Sequence, residues 1–157
     1  MGESFEGERK RDLAKAILWP KKLSRFVRVT LVASLTLDVA GLAFGLFYEG
    51  LFYDNLAHFL TTFALIALGV ELAQHRGVLP QLVSGRRALV AGAVVGLVGG
   101  GVWEMIEVLA DFLLPVFIYN PPLDTVMDMA FGTLGGAIGA WRTFAHLGIT
   151  HPHRLSW

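Results

Sequence analysis

No lysine or arginine occurs between Val29 and His75, or between Ala88 and Trp141. Long apolar stretches from which basic side chains are excluded point to the hydrocarbon core of a bilayer, where a Lys or Arg at the centre of a helix costs about 3 kcal/mol. All thirteen basic residues fall elsewhere: eight between Arg9 and Arg28, then Arg76, Arg86 and Arg87, then Arg142 and Arg154. With 54% apolar and 17% charged residues the chain is too apolar for an ordinary water-soluble domain, and its 157 residues fit a single one.

Crossing a bilayer takes about 20 mostly apolar residues per helix. Four windows qualify: Val29 to Phe47, Asn55 to Gln74, Ala88 to Leu114 and Leu123 to Ala145. The expected fold is an all-α integral membrane protein, an up-down bundle of four transmembrane helices over residues 29–145 with short connections. Four crossings put the arm 1–28, the loop from His75 to Arg87 and the tail 146–157 on one side, together with every basic residue. By the positive-inside rule that side is cytoplasmic, so the expected location is the inner (plasma) membrane with both termini inside. A basic arm before an apolar run also suits a cleaved signal peptide, but the run is long, contains Asp38 and lacks a clear small-residue cleavage site. Within the arm, Leu13, Ala16 and Ile17 share a helical face among Lys and Arg up to Trp19-Pro20. That pattern reads as an amphipathic helix on the anionic leaflet or as a solvated basic tail.

Glycines recur every fourth residue at Gly92, Gly96 and Gly100, at Gly132 and Gly136, at Gly135 and Gly139, and at Gly41 and Gly45. Such rows let helix backbones approach closely in lipid. They serve packing within one bundle, and a row left outside would suit a homo-oligomer.

Cysteine is absent, which excludes disulfides, thiolate metal sites and a cysteine nucleophile. The basic residues form no reading helix and the Gly-rich runs lack the lysine of a phosphate loop, so nothing points to nucleic acid or nucleotide. The acids are more informative, because an ionisable group inside a bilayer faces protein or water and has a role. Asp54 and His58 are spaced i,i+4 at the start of the second window, and Asp124 and Asp128 are spaced identically at the start of the fourth. Glu104, Glu107 and Asp111 fall within an arc of about 60° on the third. Three polar stripes can thus meet in a pocket open to the outside, with no Lys or Arg near it in the spans to neutralise it, since Arg142 lies at the far end of the fourth. The carboxylates must then be protonated, hydrated or bound to a cation, and carboxylates with one imidazole suit divalent Zn, Mn, Fe, Mg or Ca.

His58, Glu104 and Asp128 are the expected ligands, with Asp54 and Asp124 at the rim and Glu107 as general base. The competing structural readings are helix caps for Asp54 and Asp124, solvation at the helix end for Asp111, and a polar network that only fixes helix register for the deeper residues. Asp38 stands alone in the first window. Glu71 is expected to meet Arg76 or Arg86, and His146, His151 and His153 to lie in a solvated tail.

Tyr53-Asp54-Asn55-Leu56-Ala57-His58-Phe59, Trp103-Glu104-Met105-Ile106-Glu107 and Asp124-Thr125-Val126-Met127-Asp128-Met129, followed by a Gly-rich helix, resemble the YjdF-like family of uncharacterised bacterial inner-membrane proteins. More distantly the chain is similar to VanZ-like membrane proteins, which share an Asp-x-x-x-His opening and a late Asp before a Gly-rich span. The resemblance covers roughly residues 53–139 and implies that Asp54, His58, Glu104, Glu107, Asp124 and Asp128 are the signature positions. VanZ-like proteins commonly carry an Arg near the late Asp and this chain has none there, so a glycopeptide-resistance role does not transfer.

Three functions fit these residues. One is a metal-dependent membrane hydrolase or transferase acting on a lipid or lipid-linked substrate. Another is a non-enzymatic binder or carrier of protons, cations or lipid headgroups. The last is an assembly subunit with a purely structural polar network. Membrane lipids are the expected partners in each.

Overall fold

The computed structural model describes residues 23–48, 51–77, 84–113 and 122–150. The arm and its amphipathic pattern, and His151 and His153, lie outside these described residues. Four α-helices account for nearly all that is described, and no strand occurs among those residues: α1 Arg25–Phe44, α2 Leu51–His75, α3 Gly85–Leu113 and α4 Pro122–Thr150.

Each helix starts before its apolar window, and α2 and α4 also run past its end whereas α1 and α3 stop short of it, because hydropathy marks where hydrocarbon suits the chain whereas a helix ends where its backbone groups find other partners. Ser24 caps α1, its hydroxyl accepting from the Val27 N–H at 3.2 Å. Gly45 ends α1 at φ 68°, returning its N–H to the Gly41 carbonyl. Only glycine adopts that left-handed turn without strain. A 3₁₀ turn, Leu46–Tyr48, follows. Ser84 caps α3 through the Arg87 N–H at 3.3 Å. Pro122 opens α4, where the N–H it lacks would have no acceptor within the helix. His146 therefore lies inside α4 rather than in a tail, and its ring sits 5.4 Å from that of Phe26.

Contacts between helices fix their relative directions. Ser24 of α1 meets Glu71 of α2, while Leu37 of α1 meets Tyr53 near the start of α2, so these helices are antiparallel. Gly92 approaches Ala140, and Gly100 approaches Met129, so α3 and α4 are antiparallel. Gly135 lies on the backbone of Phe59, and Gly139 on that of Phe63, so α2 and α4 run parallel. α4 packs extensively on both α2 and α3, whereas α1 packs chiefly on α2.

The glycine rows make this order possible. A Cβ on Gly136 would stand 2.5 Å from the Gly92 carbonyl oxygen, and one on Gly139 would stand 2.6 Å from the Phe63 carbonyl oxygen. Gly136 thus faces α3, Gly135 and Gly139 face α2, and Gly132 lies between Thr62 of α2 and Gly96 of α3. Among the described residues three helices are long and apolar enough to span a membrane, Arg25–Phe44, Phe52–His75 and Gly85–Ala110. α4 is not among them, yet it is the helix enclosed by the others. A helix covered on two sides by protein can carry buried Asp124, Asp128 and Thr143 that a lipid-facing helix could not.

One end of the bundle gathers the described cations: Arg25 and Arg28 open α1, Arg76 follows α2, Arg86 and Arg87 open α3, and Arg142 lies late in α4. The opposite end gathers Asp54, Asp124 and Asp128 from the first turns of α2 and α4 and Glu104 and Glu107 from late α3. At the basic end Leu23, Val27 and Ala67 form an apolar cluster between α1 and α2, and Val70, Ala140 and Leu147 form one between α2 and α4.

Candidate functional site

Parallel packing of α2 on α4 sets their first turns side by side. Asp54 and His58 project from α2 one turn apart, and Asp128 projects from α4 one turn after Asp124. Nε2 of His58 lies 3.4 Å from Oδ1 of Asp54 and 3.7 Å from Oδ1 of Asp128. One ligand atom from each of Asp54, His58 and Asp128 falls within 4.8 Å of the others, which is metal-site spacing. Asp128 is 1% exposed and neither of its carboxylate oxygens has a hydrogen-bond partner among the described residues. A buried carboxylate left so is costly, and coordination to a cation relieves it.

The remaining three residues surround this triad without joining it. Asp124 is buried with Oδ1 unpartnered, and it interacts electrostatically with Asp54 and His58. Glu104 has a buried, unpartnered Oε1 and acts on Asp128. Glu107 accepts a hydrogen bond from Nε1 of Trp103 at 2.6 Å and interacts with His58, Glu104 and Asp54. All six residues singled out from the sequence therefore share one electrostatic neighbourhood, with Asp54, His58 and Asp128 at its centre. Asp54 and Asp124 are not N-caps, since α2 begins at Leu51 and α4 at Pro122.

Five carboxylates meet here without a Lys or Arg among the described residues, but α2 and α4 both point their N-termini at the cluster. Each end of a helix dipole carries about half a unit of positive charge there, which offsets part of the repulsion. With an imidazole among oxygen donors, Asp54, His58 and Asp128 form a group that could hold a hard or borderline divalent cation.

Two further carboxylates have partners that sequence spacing did not reveal. The Asp38 carboxylate accepts from the Thr61 hydroxyl at 2.9–3.0 Å, and Thr61 is linked to Ser34 at 3.0 Å. The signal was present in part, because Thr30, Ser34 and Asp38 fall on one face of α1. Glu71, 1% exposed, accepts from the Ser24 N–H at 2.5 Å and the Ser24 hydroxyl at 2.7 Å, with His75 at 3.4 Å. Its described partners are thus Ser24 and His75 rather than Arg76 or Arg86. By binding the first free N–H of α1, Glu71 ties that helix to α2.

The sequence profile of the family described as Predicted membrane protein (DUF2238) matches residues 19–148. No curated protein and no solved structure matches the chain.

Proposed function

Because the chain belongs to the predicted membrane protein family DUF2238, we propose that it is a four-span protein of the inner membrane, with both termini cytoplasmic, that binds a divalent cation in its outward half. The observation that carries the reading is the triad of Asp54, His58 and Asp128, closed around the buried, unpartnered carboxylate of Asp128. Packing of α4 between α2 and α3 supports a fourth span, since two membrane helices cannot both lie along a helix that stays outside the bilayer. Segregation of cations to one end supports the orientation. The likeness to YjdF-like and VanZ-like proteins rests on the motif residues that surround this same triad.

In this reading Glu104 and Asp124 would add oxygen donors beside the triad, and a bound cation would supply Lewis acidity or a water of lowered pKa. Glu107, which accepts a hydrogen bond from Trp103, would serve as the general base. The substrate class that fits a polar site at bilayer depth is a lipid or a lipid-linked molecule. Elemental analysis of detergent-purified protein tests the reading: about one divalent ion per chain is expected in the wild type, with loss in His58→Ala and Asp128→Asn. A metal-free wild type that also fails to take up Zn, Mn, Fe, Mg or Ca on dialysis sinks it.

A carrier reading has one observation of its own. Asp38 and Thr61 extend polar groups inward from the site, Thr61 lying three residues after His58 on α2. Cation flux into liposomes that Asp38→Asn abolishes while metal content stays unchanged favours this reading over an enzyme.

A further inference from the structure

We propose that α1 carries a second binding site, at the opposite end of the molecule from the acidic cluster, for the headgroup of an anionic phospholipid. A shallow, largely open surface depression is lined there by Arg25, Arg28, Val29, Val32 and Ala33. These residues follow the spacing of one helical face, and it is the face turned away from α2, since Val27, Ser34 and Gly41 are the buried positions of α1. Val29 and Val32 are 57% and 64% exposed, so this face meets lipid.

Three features select the ligand. Among the described residues neither guanidinium has a carboxylate partner, and Glu71, which meets the start of α1, is engaged by Ser24 and His75. The arginines sit in the first turn of a 20-residue helix, where the N–H groups of Arg25 and Phe26 have no acceptor within the helix and the dipole is positive. Guanidinium pairs bind phosphate oxygens in a fork geometry that a lysine ammonium does not match. The same exposed face then continues from the arginines onto Val29, Val32 and Ala33 toward mid-membrane, an apolar surface that suits an acyl chain and that free phosphate would leave uncovered. Phosphate at one end and hydrocarbon along the other describe a phospholipid, and two arginines with no acid partner among the described residues select one with net negative charge over a zwitterion. The site rests on the membrane reading of α1 alone and is independent of any metal at the acidic end.

Native mass spectrometry of the detergent-solubilised full-length protein, titrated with phosphatidylglycerol, phosphatidylcholine or inorganic phosphate, tests it. Each arginine at a membrane surface contributes about a fivefold preference, so phosphatidylglycerol is expected to bind about thirtyfold more tightly than phosphatidylcholine. The preference falls to a fewfold in Arg25→Gln/Arg28→Gln. Val32→Trp, which crowds the apolar surface at a lipid-exposed position and keeps both charges, weakens phosphatidylglycerol binding as well. Equal binding of the two lipids overturns the proposal, as does a preference that survives in both variants. Displacement of phosphatidylglycerol by equimolar inorganic phosphate also overturns it, because the face would then be a phosphate site.

Discussion

Replacing Asp128 by asparagine is expected to change stability in opposite directions with and without metal. Asp128 is 1% exposed, neither oxygen is hydrogen-bonded among the described residues, and its nearest described basic group is the His58 imidazole at 3.7 Å. An unsatisfied buried polar group costs about 1–3 kcal/mol, and more when charged, so a neutral amide of the same shape stabilises the metal-free protein by about 1–2 kcal/mol. A divalent ion at one hundred times its Kd adds about 2.7 kcal/mol to the wild type and nothing to a variant that cannot bind it. In chelator, Asp128→Asn therefore melts above the wild type, and with saturating metal it melts below. Thermal unfolding in detergent, followed by intrinsic tryptophan fluorescence under both conditions, reads the crossing. If Asp128 only fixes helix register, the variant is less stable in both conditions and the metal shift is the same in each protein. That result would refute the reasoning that its carboxylate awaits a cation.

Gly136→Ala places a methyl 2.5 Å from the Gly92 carbonyl oxygen and 3.0 Å from the Gly96 Cα, so α3 and α4 must separate. A loss of about 1–3 kcal/mol is expected. Gly99→Ala meets nothing within 4 Å and gains up to about 1 kcal/mol from helix propensity. Equal effects in thermal unfolding would show that α3 does not pack on α4 through this row. Glu71→Gln weakens two charge-assisted hydrogen bonds to Ser24 and should cost about 1–3 kcal/mol, with faster amide exchange in the first turn of α1 and no change in metal content. Unchanged exchange there would remove Glu71 as the tie between α1 and α2. Because the chain has no cysteine, single-cysteine labelling reads the orientation cleanly. Leu123→Cys should react with a membrane-impermeant maleimide in intact spheroplasts, and Arg87→Cys only after lysis; the reverse pattern inverts the topology.

Much of the candidate site was legible before any fold. The i,i+4 pairs Asp54/His58 and Asp124/Asp128 and the Glu104/Glu107 stripe are properties of helical spacing, and the structure brings all six into one electrostatic neighbourhood. Their ranking was not legible. Asp54, treated from spacing as a rim residue, stands in the central triad, while Glu104 lies beside it. Depth along a helix can be counted in residues, but how two helices are rotated and shifted against each other depends on side chains that meet only in three dimensions. The same limit hid the pairing of Asp38 with Thr61 and of Glu71 with Ser24, whose partners are 23 and 47 residues away.

Sequence alone determined that this chain is helical and apolar enough to occupy a membrane, because exclusion of Lys and Arg and runs of apolar residues reflect a solvent and need no contact map. It also determined which end is basic and which is acidic, since short connections force alternation. Only the tertiary structure decided that α4, the helix that hydropathy singles out least, is the one at the centre. Its glycines let α2 and α3 approach to backbone contact, and that close approach is what allows a helix bearing Asp124 and Asp128 to be covered by protein instead of lipid. The parallel course of α2 and α4 follows from the same packing, and it aims two helix N-termini at the carboxylates. That geometry supplies part of the counter-charge that no described basic side chain provides.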